Sequence, residues 1–345
     1  MEEHAIPQLW NYRLFKSEKY SIPFINCPFK EKLNPYLSDC LGEHLEWLKT
    51  IFQQPQQAHR FIQFESYIVN AYLFPLSSKE EFKYINMVND WIYVFDDLYL
   101  EYGTISQEYI DHLFDPEAIH EQTDDNFAFR FWQGFRPLYQ IPTCNRQSLN
   151  HYLRVIRDWS HSIISLNHDP SLLRATMTLS EYVDIRYNDI GSIMVMACAM
   201  ISHRVLPETI INNHQLKELL YWYTLANLLV SDIYSFKKEI NNHKLDNYIK
   251  IRAIQTESIQ IAMESTVNAI HHAYNKINVI SDLLQNDTQL SEDDQQLLKD
   301  YITRLKYATA GNLRASIICP RKSAINLVLD VNNIQLFLGT VDEIE

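Results

Sequence analysis

Residues 91–101 read Trp91-Ile92-Tyr93-Val94-Phe95-Asp96-Asp97-Leu98-Tyr99-Leu100-Glu101, an apolar and aromatic run that ends in acids. The run belongs to a helix predicted to begin near Ser78, so the acids fall at its C-terminal end, where the helix dipole opposes them. On an α-helix Asp97 and Glu101 share a face and Asp96 lies about 100° round, so three carboxylates can converge on one ion-sized volume. Left alone they repel one another. Hard oxygen ligands in this arrangement suit Mg²⁺ shared with a phosphate-bearing molecule. The plain alternative is a solvated acidic helix end, and the aromatic run before it argues against that. Two other Asp-Asp pairs, Asp124-Asp125 after Thr123 and Asp293-Asp294 after Ser291, read as helix starts whose acids complement the dipole.

Working outward, helical spacing recurs along the chain, as in Leu41, Leu45, Leu48 and Phe52, or Phe61, Phe64, Ile68 and Tyr72. Turn-forming residues interrupt it at Pro55, at Pro75-Leu76-Ser77-Ser78, at Gly103-Thr104, at Ile141-Pro142-Thr143 and at Pro170. Only six glycines occur, too few for the recurrent turns of a β-sandwich or a nucleotide-binding α/β fold. The expected fold class is therefore all-α. No repeat or Pro/Ser-rich linker divides the 345 residues, so one helical domain is expected over 1–345, with the Pro-dotted residues 1–35 as an irregular strap around the bundle.

Thirty basic against 43 acidic residues give a net charge of −13, which disfavours nucleic acid and anionic lipid as partners. The longest apolar run, residues 193–201, is far short of the roughly 20 residues that cross a bilayer. The acidic start of the chain and five scattered cysteines fit a reducing cytoplasm. Zinc and covalent hydrolase chemistry find no support, because His-Glu-x-x-His, Cys-x-x-Cys and Gly-x-Ser-x-Gly are all absent.

A second polar constellation lies on a helix expected from Leu219 to about Ile240. Ser231, Ser235 and Glu239 fall at about 0°, 40° and 80° around it and Lys238 at about −20°, forming one stripe after the apolar turn Leu225–Val230. Two hydroxyls and a carboxylate beside an ammonium suit a metal–diphosphate complex. Between the two constellations, Asp184-Ile185-Arg186-Tyr187-Asn188-Asp189-Ile190-Gly191 places a charged cluster before a helix break at the glycine. There Arg186 either pairs with Asp189 or Asp184, or reaches a diphosphate, while freed carbonyls face the substrate. The basic cluster at Pro320-Arg321-Lys322 is uninformative by itself.

Taken together, residues from about 20 to 325 resemble the microbial and amoebal type of class I terpene synthase. Asp96-Asp97-Leu-Tyr-Leu-Glu101 looks like that family's DDxxxE motif, and residues 231–239 look like its NDxxSxxxE motif, with Asp232, Ser235, Lys238 and Glu239 matching. The resemblance implies a metal set of Asp96, Asp97 and Glu101 on one side and Ser231, Ser235 and Glu239 on the other, holding three Mg²⁺ ions for which Mn²⁺ can substitute. Asp232 then has a supporting structural role. It implies diphosphate contacts from Arg186, Lys238, Arg321 and Lys322. Arg186 is the implied diphosphate sensor, and Asp189 with the carbonyl of Ile190 or Gly191 responds to it. The implied reaction is ionisation of a linear prenyl diphosphate, by default farnesyl diphosphate, with cyclisation to a terpene by a monomer or homodimer. Phe64, Trp91 and Phe95 are candidate aromatic liners of the cation's pocket, with plain core packing as the alternative for each.

Three positions depart from the pattern. Ser231 stands where Asn or Asp is usual, Lys322 replaces the tyrosine of an Arg-Tyr pair, and Ala315 stands where tryptophan is common. These departures keep open a catalytically weak or inactive helical prenyl-diphosphate-binding protein. A prenyl-chain elongating transferase is less favoured, since it normally repeats the first acidic motif, and proton-initiated cyclisation lacks its Asp-x-Asp-Asp.

Overall fold

The computed structural model describes residues 11, 15, 18–52, 55–100, 105–115, 127–201, 206–241, 243–286 and 290–319. Among them the regular structure is helical throughout. The α-helices run in order as α1 (Leu37–Ile51), α2 (Pro55–Ile62), α3 (Ser66–Leu73), α4 (Lys79–Phe95), α5 (Gln107–Leu113), α6 (Phe127–Phe135) and α7 (Arg146–His168). They continue as α8 (Leu179–Arg186), α9 (Ser192–Ile201), α10 (Glu208–Ile211), α11 (His214–Glu239), α12 (Tyr248–Thr256), α13 (Ile259–Gln285) and α14 (Glu292–Ile318).

Local chemistry sets the helix starts. Ser78 Oγ accepts from the Glu81 N–H at 3.3 Å while Glu81 Oε2 accepts from the Ser78 N–H at 2.8 Å, a reciprocal cap that places the start of α4 where the sequence predicts it. Thr178 with Glu181 does the same for α8, and Ser291 caps α14 with Asp293 and Asp294 in its first turn. Asp124 and Asp125 lie outside the described residues. The helix expected from Leu219 begins earlier, because Asn213 Oδ1 accepts from the N–H groups of Gln215 and Leu216 and adds a turn before the apolar stripe.

Helix α11 forms the centre. It lies against α9, α12, α13 and α14, and residues from Tyr223 to Val230 are buried without interruption, as expected of a helix enclosed by others. Gly311 permits α14 to close on α3: a β-carbon there would sit 2.2 Å from the Tyr72 carbonyl oxygen. Residues 18–36 carry no helix and run along α13. The Ser21 N–H donates to Gln260 Oε1 at 2.9 Å and the Asn26 N–H to His271 Nε2 at 2.9 Å. Glu18 anchors the segment by capping α13 from outside, accepting from Ser258 Oγ at 2.6 Å and from the N–H groups of Ile259 and Gln260 at 2.9 and 3.0 Å. No described helix is long and apolar enough to cross a membrane.

The three aromatics proposed as pocket liners pack elsewhere. Trp91 lies over Gly134, where a β-carbon would come within 2.2 Å of the indole, and meets Phe131 edge-on. Phe95 packs on Phe131 at 4.9 Å between ring centres, and Phe64 on Phe61 at 5.6 Å. Helical core spacing is satisfied by these neighbours, so the rings serve the core rather than a cavity.

Candidate active site

At its C-terminal end α4 leaves α geometry. The Asp96 N–H is shared between the carbonyls of Ile92 and Tyr93, and residues Asp96–Leu100 form a π-helical turn. A π-turn takes more residues per turn than an α-helix, so the face expected from 100° spacing is not kept. Asp96 lines a cavity of about 770 Å³, whereas Asp97 is buried at 8% exposure and does not. Among the described residues no three His, Cys, Asp or Glu side chains close on one point. Of the three carboxylates expected to converge, Asp96 lines the cavity and Asp97 does not, while Glu101 lies outside the described residues. Arg321 and Lys322 also lie outside them.

The second constellation is intact. Ser231, Ser235, Lys238 and Glu239 all line the same cavity as Asp96. Asn247, fully buried, holds them in order: its Nδ2 donates to Glu239 Oε2 at 2.9 Å, to the Asp232 carbonyl at 2.8 Å and weakly to Ser235 Oγ at 3.4 Å. Its Oδ1 accepts from the Ile249 N–H at 2.9 Å, capping α12. One amide therefore fixes both the start of α12 and the polar stripe of α11. Asp232 acts as an internal brace, with Oδ2 accepting from Tyr182 Oη at 2.7 Å and from the Tyr248 N–H at 2.9 Å. Burial pushes its carboxyl up to about 7, against the lowering effects of Arg186 and of the Tyr248 and Tyr182 hydrogen bonds.

Residues 187–191 form the break between α8 and α9 expected at Gly191, and Arg186, Asp189, Ile190 and Gly191 all face the cavity. The open choice of partner resolves to Asp189. Arg186 Nε lies 2.9 Å from Asp189 Oδ1 and 2.7 Å from Oδ2, a guanidinium nitrogen donates to the Asp246 carbonyl, and the Tyr182 ring centre lies 5.7 Å from the guanidinium carbon. Burial works against the Arg186 charge, but Asp189 and the other neighbouring oxygens outweigh it and hold its pKa well above the ordinary value. Trp159 Nε1 donates to the Asp189 carbonyl at 2.9 Å and pins the break from α7.

Sequence reasoning missed Lys244, Asp246 and Asn247 on the α11–α12 connection. Lys244 lines the cavity and donates to Asn167 Oδ1 at 3.1 Å. The pattern Asn247-Tyr248-Ile249 offered an N-cap signal, but nothing in one sequence linked that cap back to Glu239. The same cavity is also lined by Leu73, Ile92, Ile163, Leu173, Met194 and Val195. Hard oxygen donors and cations thus divide the lining of one cavity with apolar side chains. That division suits a molecule with a polyanionic head and a hydrocarbon tail.

Residues 87–276 match the family model described as "Terpene synthase family 2, C-terminal metal binding". Terpene synthase 6 of Dictyostelium purpureum is 30% identical over 325 residues, covering 93% of this chain and 99% of that relative. Terpene synthase 8 of the same organism is 33% identical over 258 residues, covering 74% and 76%. Among solved structures, hedycaryol synthase in complex with nerolidol superposes with a TM-score of 0.68 at 16% identity, covering 86% of this chain and 99% of that one, a likeness of fold. With the matched family segment containing both the Asp96 turn and the Ser231–Glu239 stripe, the chain belongs to the terpene synthase family.

Proposed function

We propose that the chain is a class I terpene synthase, working as a single helical domain, that ionises a linear prenyl diphosphate with divalent metal and converts the resulting cation to a terpene within the cavity. The single observation that carries this reading is the shared cavity of about 770 Å³, lined by Asp96, Ser231, Ser235 and Glu239 together with Arg186, Lys238 and a set of apolar side chains.

The donor set fits Mg²⁺, since carboxylate and hydroxyl oxygens are hard ligands and no sulfur or imidazole stands among them. Bound there, Mg²⁺ supplies positive charge where the leaving diphosphate gains negative charge. Asp96 at the end of α4 and Ser231, Ser235 and Glu239 of α11 would hold the ion. The serine hydroxyl at 231 is the weakest of these donors. Asp97 and Glu101 belong to the same acidic motif in the sequence. Arg186, Lys238 and Lys244, with Arg321 and Lys322, bind diphosphate oxygens and oppose recombination of the ion pair. Asp189 orients Arg186, so engagement of the guanidinium by diphosphate pulls on the 187–191 turn and the carbonyls of Ile190 and Gly191. The apolar wall excludes bulk water from the allylic cation. Farnesyl diphosphate is the default substrate.

The test is incubation of the purified protein with geranyl, farnesyl and geranylgeranyl diphosphate, with Mg²⁺, with Mn²⁺ or with EDTA, followed by mass spectrometry of the organic extract. The reading requires terpene that depends on the metal. Diphosphate binding without turnover of any of the three substrates overturns it in favour of a binding protein.

A further inference from the structure

Away from the Asp96 and Ser231–Glu239 groups the cavity lining is not uniformly apolar. Asn89 of α4, Asn227 of α11 and Asn312 of α14 all line it. In each, the amide nitrogen is committed to the protein. Asn89 Nδ2 donates to the Ile85 carbonyl at 2.9 Å and lies 3.6 Å from Cys198 Sγ. Asn227 Nδ2 donates to the Tyr223 carbonyl at 2.8 Å, and Asn312 Nδ2 to the Asn227 carbonyl at 3.3 Å. A backbone carbonyl can only accept, so these bonds fix which way each amide is turned. Among the described residues the three amide oxygens meet no donor, and none is among the polar atoms sealed off without a partner. They are therefore open to the cavity.

Their depth matters. Asn227 lies one turn before Ser231, about 6 Å along the helix, and Asn89 two turns before Asp96, about 10 Å along. At that depth they flank the hydrocarbon tail rather than the diphosphate. A prenyl tail carries no hydrogen-bond donor, so a tail that swept the cavity dry would leave three orphaned acceptors. That outcome costs more than immobilising one water molecule.

We infer that these amides retain a water molecule beside the prenyl tail and that this water captures the carbocation, making the product a terpene alcohol; the inference rests on the ionisation proposed above. Asn227 and Asn312, linked by their hydrogen bond, hold the water by its two hydrogens, and Asn89 limits its movement from α4. Its lone pair is then presented to the cation. The electron pair of the breaking C–O bond leaves with diphosphate, the water oxygen bonds to the cationic carbon, and the proton shed by that oxonium passes to diphosphate. Prenyl diphosphate and water thus become terpene alcohol and hydrogen diphosphate.

The experiment is turnover of the three prenyl diphosphates by the full chain with Mg²⁺ in ¹⁸O-water, with an EDTA control to subtract spontaneous solvolysis. The expected principal product is an alcohol two mass units heavier than in ordinary water. Asn227→Leu, Asn312→Leu and Asn89→Leu are then compared by the alcohol-to-hydrocarbon ratio within each variant's own products, so that lost turnover does not enter. That ratio is expected to fall at least tenfold in the Asn227 and Asn312 variants. Wild-type products that are hydrocarbons, or a ratio unchanged in every variant that turns over, overturn water capture and leave ionisation standing. Failure to consume any of the three substrates overturns both.

Discussion

Asn247 is the residue on which the Ser231–Glu239 stripe, the proposed metal site of α11, most depends. Its amide joins the Glu239 carboxylate, the Ser235 hydroxyl and the Asp232 carbonyl to the cap of α12. Partners that orient ligands typically change metal affinity by roughly 10–100-fold when removed. Asn247→Ala is therefore expected to raise the Mg²⁺ concentration needed for half-maximal turnover about tenfold, and to cost about 1 kcal/mol in stability from the lost cap. A metal titration and a melting curve check the two effects separately, and an unchanged Mg²⁺ midpoint contradicts the orienting role. Within the acidic pair the structure ranks the two aspartates. Asp96 faces the cavity and Asp97 does not, so Asp96→Ala is expected to lower turnover by about 100-fold or more, and by more than Asp97→Ala. Matched kinetics of the two variants decide the point. The motif named both residues, but their relative roles were hidden because a π-turn cannot be read from periodicity that assumes 100° per residue.

At the scale of elements, caps and breaks were legible and lateral neighbours were not. Ser78 with Glu81, Ser291, and the break at Gly191 are encoded within a few residues of sequence. The packing of Trp91 on Gly134 joins positions 43 residues apart, and no local pattern announces it. Gly311 is similar, since its value lies in α3. With the Tyr72 carbonyl 2.2 Å from the position of an added methyl, Gly311→Ala forces α14 away from α3 and is expected to destabilise the protein by about 1–3 kcal/mol, as overpacking generally does. Denaturant unfolding measures this directly. The irregular segment behind α1 hangs on Glu18. Burial raises the Glu18 carboxyl pKa, but hydrogen bonds from Gln260, Ser258 and Ile259 outweigh it and leave the value lowered. Its contribution is thus present above the ordinary carboxylate range and is lost as pH falls through the lowered folded value. Protection of the Ser21 and Asn26 amides, measured relative to intrinsic exchange at each pH, is expected to fall as pH drops through that lowered value. Glu18→Gln is expected to show faster exchange already at pH 7, and equal protection in wild type and variant contradicts the latch.

Over the whole molecule, a chain of net charge −13 gathers Arg186, Lys238 and Lys244 around one opening. Under the proposed function these cations draw the polyanionic head of the substrate to the cavity and leave its tail to the apolar part of the lining. Composition and the two motifs were enough to read the helical class and the broad site, because scarce glycine and 3.6-residue spacing are properties of the chain itself. The chamber's wall was beyond reach, because it is assembled from α3, α4, α7, α9, α11 and α14, and the order in which they meet is a property of packing. The measurement closest to the central claim is a crystal structure of the protein soaked with Mg²⁺ and inorganic diphosphate. Mg²⁺ is expected to join diphosphate to Asp96 on one side and to Ser231, Ser235 and Glu239 on the other, with Arg186 turned from Asp189 toward a phosphate oxygen. Diphosphate bound elsewhere, or in this cavity with Arg186 still paired to Asp189 and no metal on Asp96 or Glu239, contradicts it.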